Sequence, residues 1–596
     1  MTAYTPPLRD IGFVLRELSG LDAVLALPGF EDASSDVVAS VLEEAGKIAA
    51  EVIAPINQTG DHEGSHLEDG AVRTATGCRE AWRTLVDGTW NALPFDAAWN
   101  GMGLPWLVNT AVQEMWQSAN MAFSLCSALT QGAVNAISEN GSDALKATYL
   151  PKLVSGEWTG AMNLTEPQAG SDLAALRSRA VPDGDAYRIT GQKIFISYGE
   201  HDLAENIIHL VLARLPDAPS DIKGISLFLV PKFLVNPDGS LGARNDVRCA
   251  GLEHKMGLHA SPTATMAFGD EAGAVGYLVG EANRGLEYMF VMMNHARLSV
   301  GIQGLAIAER AYQQARAYAR ERVQGRPAGS RDSRAAIVHH PDVRRMLMTM
   351  KCQIEAMRAL VYDGTAAIDH AHHASDPEAA ARFQQRYELL TPVIKGWCTE
   401  TGVEIASLGM QVHGGMGYVE ETGAAQHLRD ARVAPIYEGT TAIQANDLVF
   451  RKVVRDKGAG IGALIAEMRQ LDEALAGRTD PAFPAIRARL ATAADTLAGT
   501  AAWLVDAGER DAGLAAAAAV PFLRLTGVVV GGWQMARAAL AAAALLARDE
   551  GARPFLEAKI ATARFYADNL LPTADAWARA AVAGSASVMS VDESQL

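Results

Sequence analysis

Apolar and polar positions alternate in three successive textures along the chain. From about Asp32 to Leu153 the apolar residues recur every third or fourth position, as in Val37-Val38, Val41-Leu42 and Ile48, which predicts helices. A Gly- and Pro-bearing turn, Asn100 to Pro105, interrupts them. Met115 to Ser138 carries no charge over 24 residues, long enough to cross a bilayer. Gln117, Ser118, Asn120, Ser124, Ser127, Thr130, Gln131, Asn135 and Ser138 break it up, so it reads as one buried helix of a soluble protein. From Thr159 to about Gly280 the texture is that of strands. Tyr187 to Thr190, Lys193 to Ser197, Ile207 to Leu212 and Ile225 to Val230 are rich in β-branched and aromatic residues, with turn clusters such as Pro182-Asp183-Gly184-Asp185 and Asn236-Pro237-Asp238-Gly239 between them. No helical pattern intervenes, which predicts an antiparallel β-domain rather than βαβ units.

Helical texture returns near Gly285. Helices are predicted over Arg297–Arg326, closed by Gly325-Arg326-Pro327, then over Val343–Ala371, Ala379–Met410 and Thr441–Asp456. After Lys457 the chain turns Ala-rich, a composition suited to closely packed helices. The predicted order is an N-terminal extension (1–39), a helical domain (40–158), a β-domain (159–282), a helical bundle (283–455) and a further helical domain (456–596). The fold class is α+β.

Charge narrows the function. With 52 Lys+Arg against 69 Asp+Glu the net charge is −17, which argues against general nucleic-acid binding and against an anionic membrane surface. From Asp456 onward there are 13 basic and 16 acidic residues, so that region offers DNA no basic face. The five cysteines lie far apart with no C-x-x-C spacing, and neither a disulfide framework nor a zinc site is expected. Met1 to Asp10 has no apolar core, so a signal peptide is not expected and the cytoplasm is the default compartment.

Two motifs invite functional readings and are set aside. Gly458-Ala459-Gly460-Ile461-Gly462-Ala463 fits the dinucleotide pattern G-x-G-x-x-A, but it follows a helix and no strand pattern comes after it, so it reads as a linker. Asp369-His370-Ala371-His372-His373 has the residue types of a metal site but is read as an exposed helix end, and no metal is expected. There is no P-loop or G-x-S-x-G.

Three segments carry a specific resemblance. They are Met162-Asn163-Leu164-Thr165-Glu166-Pro167-Gln168-Ala169-Gly170-Ser171-Asp172, the strand Gly191 to Ser197, and Ile436-Tyr437-Glu438-Gly439-Thr440-Thr441-Ala442-Ile443-Gln444, the last preceded by Gln411 to Tyr418. In this order the chain, from roughly Ser40 to Arg455, resembles the acyl-CoA dehydrogenase family of flavoenzymes. The opening Tyr4 to Asp10, the enlarged loop Pro231 to Met256 and the extra C-terminal helices resemble its longer bacterial branch, which includes 3-methylmercaptopropionyl-CoA dehydrogenase.

The resemblance implies a helical domain, a β-domain and a four-helix bundle holding FAD. It implies that Leu164 and Thr165 contact the flavin ring, that Phe195 stacks beside it, and that Ser197 lies near its N5. Ser171 would lie near the pyrophosphate of FAD or of acyl-CoA. Arg322, Gln324, Gln411, Gly414, Gly415 and Thr440 would complete the FAD site, Gly414 and Gly415 toward a neighbouring subunit's FAD. Asn294, Arg297 and Gly439 would contact the acyl-CoA substrate, and Glu438 would be the catalytic base. Apart from the resemblance, Phe195 and Ser197 alternate with Ile194 and Ile196 and so share one face of a strand. Glu438, before Gly-Thr-Thr, reads as a carboxylate at a helix start. The implied reaction makes a trans-2-enoyl-CoA, with electron-transferring flavoprotein as acceptor and a homodimer or homotetramer as the working form. An oxygen-using acyl-CoA oxidase and a repurposed nucleic-acid- or protein-binding relative are the rivals.

Overall fold

The computed structural model describes residues 3–329 and 334–596. They form two compact units built from non-consecutive segments: Met1–Glu44, Pro105–Ser118 and Val300–Leu596 make the first, and Ala45–Leu104 with Ala119–Ser299 the second. One crossing point between them corrects the sequence reading. The uncharged stretch Met115–Ser138 belongs to two helices, Trp106–Ala119 and Met121–Asn140. Asn120 between them is extended (φ −158°, ψ 98°), and its side chain accepts the Phe123 N–H at 3.0 Å. Asn competes for backbone hydrogen bonds and so caps a helix better than it continues one.

In the second unit, β1 (His66–Glu68) and β2 (Ala71–Arg73) form a small hairpin. The main sheet contains β3 (Trp158–Asn163), β4 (Arg179–Asp183), β5 (Ala186–Ser197), β6 (Asn206–Arg214) and β7 (Ile225–Pro231). The enlarged loop supplies a separate hairpin, β8 (Phe233–Val235) and β9 (Leu241–Arg244), and then β10 (Val247–Leu252). With β11 (Thr263–Phe268) and β12 (Ala274–Leu278) the sheet order is β10-β11-β5-β12-β7-β6-β3, and β4 bridges β5 and β6. The two strand patterns read at Tyr187–Thr190 and Lys193–Ser197 are one strand, β5. Pairing is antiparallel except beside β6, where β3 runs parallel from Trp158 opposite Asn206 to Asn163 opposite Val211, and β4 meets it parallel at Arg179. A parallel neighbour needs a long connection, and the loop after β3 together with β4 and β5 provides one. Both faces of β6 and β7 are covered, and Ile189, Ile196, Val211, Phe228, Val230 and Phe268 fill the core.

The first unit is helical. Its long members include Pro341–His373, Pro377–His413, Phe483–Arg510 and Ala512–Ala547, joined by the Val300–Glu321 part of the helix that begins at Gly285. The helix expected over Thr441–Asp456 is α-helical only to Asn446 and continues as a π-helix, Asp447–Val454. Gly458, at φ +80°, then starts the helix Ala459–Ala476, so the glycine-rich run expected to be a linker is instead the beginning of that helix. The Asp369 cluster is not simply an exposed helix end. Asp369 is buried and accepts the N–H groups of Trp106 and Leu107 at 2.8 and 2.9 Å, capping the helix Trp106–Ala119. Burial pushes its carboxyl up to about 7 against the pull of those two donors. Among the described residues no group of His, Cys, Asp and Glu has the arrangement of a metal site.

Ala512–Ala547 is long and apolar enough to cross a membrane by length and composition, yet 61% of its most apolar window is buried within the protein. It packs against Pro377–His413 through glycines. A Cβ at Gly527 would lie 2.2 Å from Trp397 Cγ, and one at Gly531 2.5 Å from the Tyr566 hydroxyl. That hydroxyl donates to the Val528 carbonyl at 2.9 Å. Gly527→Ala is therefore expected to destabilise the protein by about 1–3 kcal/mol through overpacking. Gly499→Ala, in an exposed helix interior with open space around the new methyl, should stabilise it by about 0.5–1 kcal/mol. Urea denaturation of the two variants checks the opposite signs.

Candidate functional site

In the second unit, the predicted residues lie on the loop after β3 and on the second half of β5. Two ionic side chains that the sequence reading passed over pin this loop. Lys193 is buried with its Nζ 2.8 Å from Glu166 Oε1 and 3.0 Å from the Leu164 carbonyl, and the Ile194 N–H donates to the Thr165 carbonyl at 2.9 Å. Glu166 also accepts from the Ser178 hydroxyl (2.6 Å), from the Ser178 and Arg177 N–H groups (3.1 and 2.7 Å) and from Gln168 Nε2 (2.6 Å). Burial by itself would raise the Glu166 carboxyl, but Lys193 and these donors outweigh it and hold it down at about 2. Burial brings the Lys193 ammonium down to about 8 despite its carboxylate partner. A charged residue between apolar strand positions was the available sequence signal for Lys193.

The loop so held leaves Leu164 and Thr165 half-buried and Ser171 exposed. On β5 the register with β11 slips: Ala264 faces Ile196 while Met266 faces Lys193, so Ile194 and Phe195 together oppose one residue. This β-bulge puts Phe195 at φ +59°, and the residue is 60% exposed. Lys193 and Ile196 both point inward, a spacing of three that simple alternation does not give. The expected shared face of Phe195 and Ser197 survives beyond the bulge, with Ser197 half-buried. A bulky residue in left-handed backbone presenting an exposed ring to one side of a pinned loop is the kind of outlier found at ligand sites. Asn294 and Arg297 lie on the Gly285–Glu321 helix, Asn294 half-buried and Arg297 buried, with the Arg297 guanidinium 5.9 Å from the Phe290 ring centroid.

In the first unit, the turn before the helix Thr441–Asn446 carries Glu438, Gly439 and Thr440, all half-buried. Glu438 sits at φ +53° and Gly439 at φ +86°. A Cβ at Gly439 would meet Gln444 Nε2 at 2.6 Å, so glycine is required there on two counts. Thr440 caps the helix by accepting the Ile443 N–H at 3.3 Å. Tyr437, whose hydroxyl donates to Gln303, is pushed well above the ordinary phenol range by burial and then by the charge of Glu438. Lys395 and Gln444, missed in the sequence, hold the carbonyls of this turn; a lone lysine in the apolar run Leu389 to Trp397 was the signal for the first.

The remaining predicted residues gather at one end of this unit. Arg322 and Gln324 are exposed and joined by a 3.3 Å hydrogen bond, Arg322 Nη2 donating to Gln324 Oε1. One turn earlier on the same helix, the Tyr318 ring stacks on His413 at 4.5 Å, next to Gly414. Gln411, Gly414 and Gly415 are exposed, and nothing lies within 4 Å of where a Cβ would be at either glycine. Their backbone is therefore open to a close visitor. Gly417 is different: its Cβ would fall 2.2 Å from the Met410 carbonyl oxygen, so packing within the chain already demands glycine there.

Models described as the N-terminal, middle and C-terminal domains of acyl-CoA dehydrogenase match residues 37–157, 161–270 and 283–452. One described as acetyl-CoA dehydrogenase C-terminal like matches 463–592. A 3-methylmercaptopropionyl-CoA dehydrogenase of Ruegeria pomeroyi is 50% identical over 570 residues, covering 95% of this chain and 96% of that protein. A butyryl-CoA dehydrogenase of Syntrophomonas wolfei is 34% identical over 588 residues, 96% and 95% of the two chains. A solved Bacillus anthracis structure, an acyl-CoA dehydrogenase complexed with FAD, shares the fold with a TM-score of 0.74 at 19% identity, over 94% of this chain and 90% of that one.

Removing one partner of the Lys193–Glu166 pair leaves a buried charge uncompensated. Lys193→Met is expected to cost about 3–5 kcal/mol and to open the Leu164–Ser178 loop to limited proteolysis. Because Glu166 is more acidic folded (about 2) than its ordinary 4.5, its contribution is fully present above pH 4.5 and fades as pH falls toward 2. The stability advantage of the parent over Glu166→Gln, followed by denaturation across that range, should shrink accordingly.

Proposed function

The chain belongs to the acyl-CoA dehydrogenase family, and we propose that it removes the α- and β-hydrogens of an acyl-CoA thioester with Glu438 as the base, giving a trans-2-enoyl-CoA. The observation that carries this reading is the Glu438–Gly439 turn. A non-glycine residue held at φ +53° costs of the order of 1–3 kcal/mol and persists only where its surroundings over-determine it. Here that strain orients a half-buried carboxylate beside a glycine that leaves the backbone uncovered.

The α-proton of a thioester is weakly acidic, so the carboxylate needs help. A backbone N–H in this turn, the Glu438 N–H in our reading, hydrogen-bonds the thioester carbonyl as negative charge develops on it. Gly439 lets the substrate approach, and Asn294 and Arg297 bind its CoA adenosine. FAD, when bound, supplies the acceptor for the β-hydrogen. The residues present fit it. Exposed Phe195, half-buried Leu164, Thr165 and Ser197, and Ser171 attend the flavin ring and pyrophosphate; Arg322, Gln324, Gln411, Gly414, Gly415 and Thr440 attend the rest. The open backbone at Gly414 and Gly415 and the exposed Tyr418 beside them support a second copy of the chain at this end, and hence at least a dimer in solution.

For the substrate, the 50% identity to a 3-methylmercaptopropionyl-CoA dehydrogenase favours that thioester, with short or medium straight-chain acyl-CoAs as competitors. One methylene in an apolar pocket is worth only about 1–3 kcal/mol, so activities should overlap. Electron-transferring flavoprotein is the proposed acceptor, whereas hydrogen peroxide formed without added acceptor would mark an oxidase instead.

The test is anaerobic mixing of the FAD-loaded protein with a panel of acyl-CoAs. The preferred substrate is the one that bleaches the flavin fastest at low concentration. Glu438→Gln should keep its flavin while the bleaching rate drops about 10²–10⁴-fold, the usual worth of a general base. Full turnover in that variant would end the assignment.

A further inference from the structure

Under the Glu438 turn lies a set of buried polar groups that the scheme above does not use. Lys395, on the helix Pro377–His413, has no exposed surface, and its Nζ lies 2.5 Å from the Gly439 carbonyl oxygen. Gln444, equally buried, sends its Nε2 to the carbonyls of Glu438 and Gly439 at 3.2 and 3.4 Å. Gln303, also buried, accepts the hydroxyl of Tyr437, so the residue before the base is tied down as well.

Two successive carbonyls are thus drawn toward the interior by donors on two different helices. In a trans peptide the N–H points opposite to the C=O. Drawing the Glu438 and Gly439 carbonyls inward therefore turns the N–H groups of Gly439 and Thr440 outward. It also fixes ψ at Glu438 and with it the direction in which the side chain leaves the turn. The left-handed backbone at Glu438 would otherwise relax toward an ordinary conformation.

We propose that Lys395 and Gln444 are positioning residues for the base: they hold the strained Glu438–Gly439 pair so that the carboxylate faces the reacting thioester. This rests on the acyl-CoA reading of the same site and goes beyond it by naming what aims the base. Neither residue touches substrate or cofactor in this account.

Lys395→Met keeps the length of the side chain and removes the donor; Gln444→Met removes the other pair of hydrogen bonds. Each FAD-loaded variant is mixed anaerobically with the best acyl-CoA, and with a 3-thia analogue whose α-proton can be removed but which cannot be oxidised. The expected result is an unchanged flavin content, an acyl-CoA dissociation constant within about twofold of the parent, and flavin bleaching slowed about 10²-fold, as for a reacting group misplaced by about an ångström. The long-wavelength absorption of the analogue complex should weaken in parallel. In the flavin-free variants, backbone amides from Tyr437 to Thr441 should lose protection from hydrogen exchange while the rest of the helix Pro377–His413 keeps it. If Lys395→Met does not fold, Gln444→Met carries the test. Parent-like bleaching, analogue absorption and amide protection in a folded variant would overturn the proposal. A parent protein that no acyl-CoA bleaches would instead sink the acyl-CoA reading, and the exchange result would still decide whether Lys395 and Gln444 hold the turn.

Discussion

The guanidinium of Arg358, 2% exposed, lies among three carboxylates from distant parts of the chain. It meets Glu114 at 2.6 Å and Glu309 at 2.9 Å, and it also binds Asp10. Tyr362 donates its hydroxyl to Glu114 at 2.6 Å, and Lys559 engages Asp10 and, at 3.1 Å, Glu355. One polar cluster therefore ties the first turns of the chain, the helix Trp106–Ala119, the helix ending at Glu321, the helix Pro341–His373 and the C-terminal helix Arg553–Asn569. With Lys351 bound to Glu355, three cations face four carboxylates. Burial pushes the Glu114 carboxyl up against the pull of Arg358, while Lys559 and Arg358 overcome burial to hold Asp10 well below the carboxylate range. Such a cluster adds little stability over an apolar core, but losing one member leaves the others as uncompensated buried charges.

The same physics recurs on a smaller scale in each of the two units. Phe195 and Glu438 both occupy left-handed backbone, and each lies close to a buried lysine that donates to a nearby carbonyl: Lys193 to Leu164, Lys395 to Gly439. Strain of about 1–3 kcal/mol per residue is comparable to the net worth of one hydrogen bond to a charged group, about 1.5–3 kcal/mol. A neutral donor would be marginal for this task; a buried cation suffices.

Periodicity made much of this fold legible. The long helices of the first unit and the strands β6 and β7 fall where apolar spacing puts them, because each buries a face set by its own local pattern. What it could not give depends on partners far away in sequence. The bulge at Phe195 arises from the register of β11, more than sixty residues on, and the alternation of β5 alone hides it. The break at Asn120 was visible as a capping residue inside an apolar run, yet composition outweighed it. Lys193 and Lys395 looked like strays in apolar segments, since only the folded chain brings Glu166 and Gly439 to them. Glu438 itself was legible through the resemblance of its motif, whereas its backbone strain was not.

The C-terminal helices matter to this site for a specific reason. The turn of the helix Pro377–His413 that carries Lys395 continues into Gly396 and Trp397, which pack on Leu523, Gly527 and Gly531 of Ala512–Ala547. Arg524 on that same helix donates to Glu400 Oε2 at 3.1 Å, and the other oxygen of Glu400 accepts the Thr441 hydroxyl at 2.7 Å. Thr441 begins the helix that follows Glu438. A continuous path of hydrogen bonds and close packing thus runs from the extra helical region to both sides of the Glu438 turn, to its lysine support below and to the helix that follows it. Removing those helices would expose Trp397 and leave Glu400 without Arg524, loosening the segment whose strained conformation has to be held. The added region therefore buttresses the Glu438 turn through packing and hydrogen bonds.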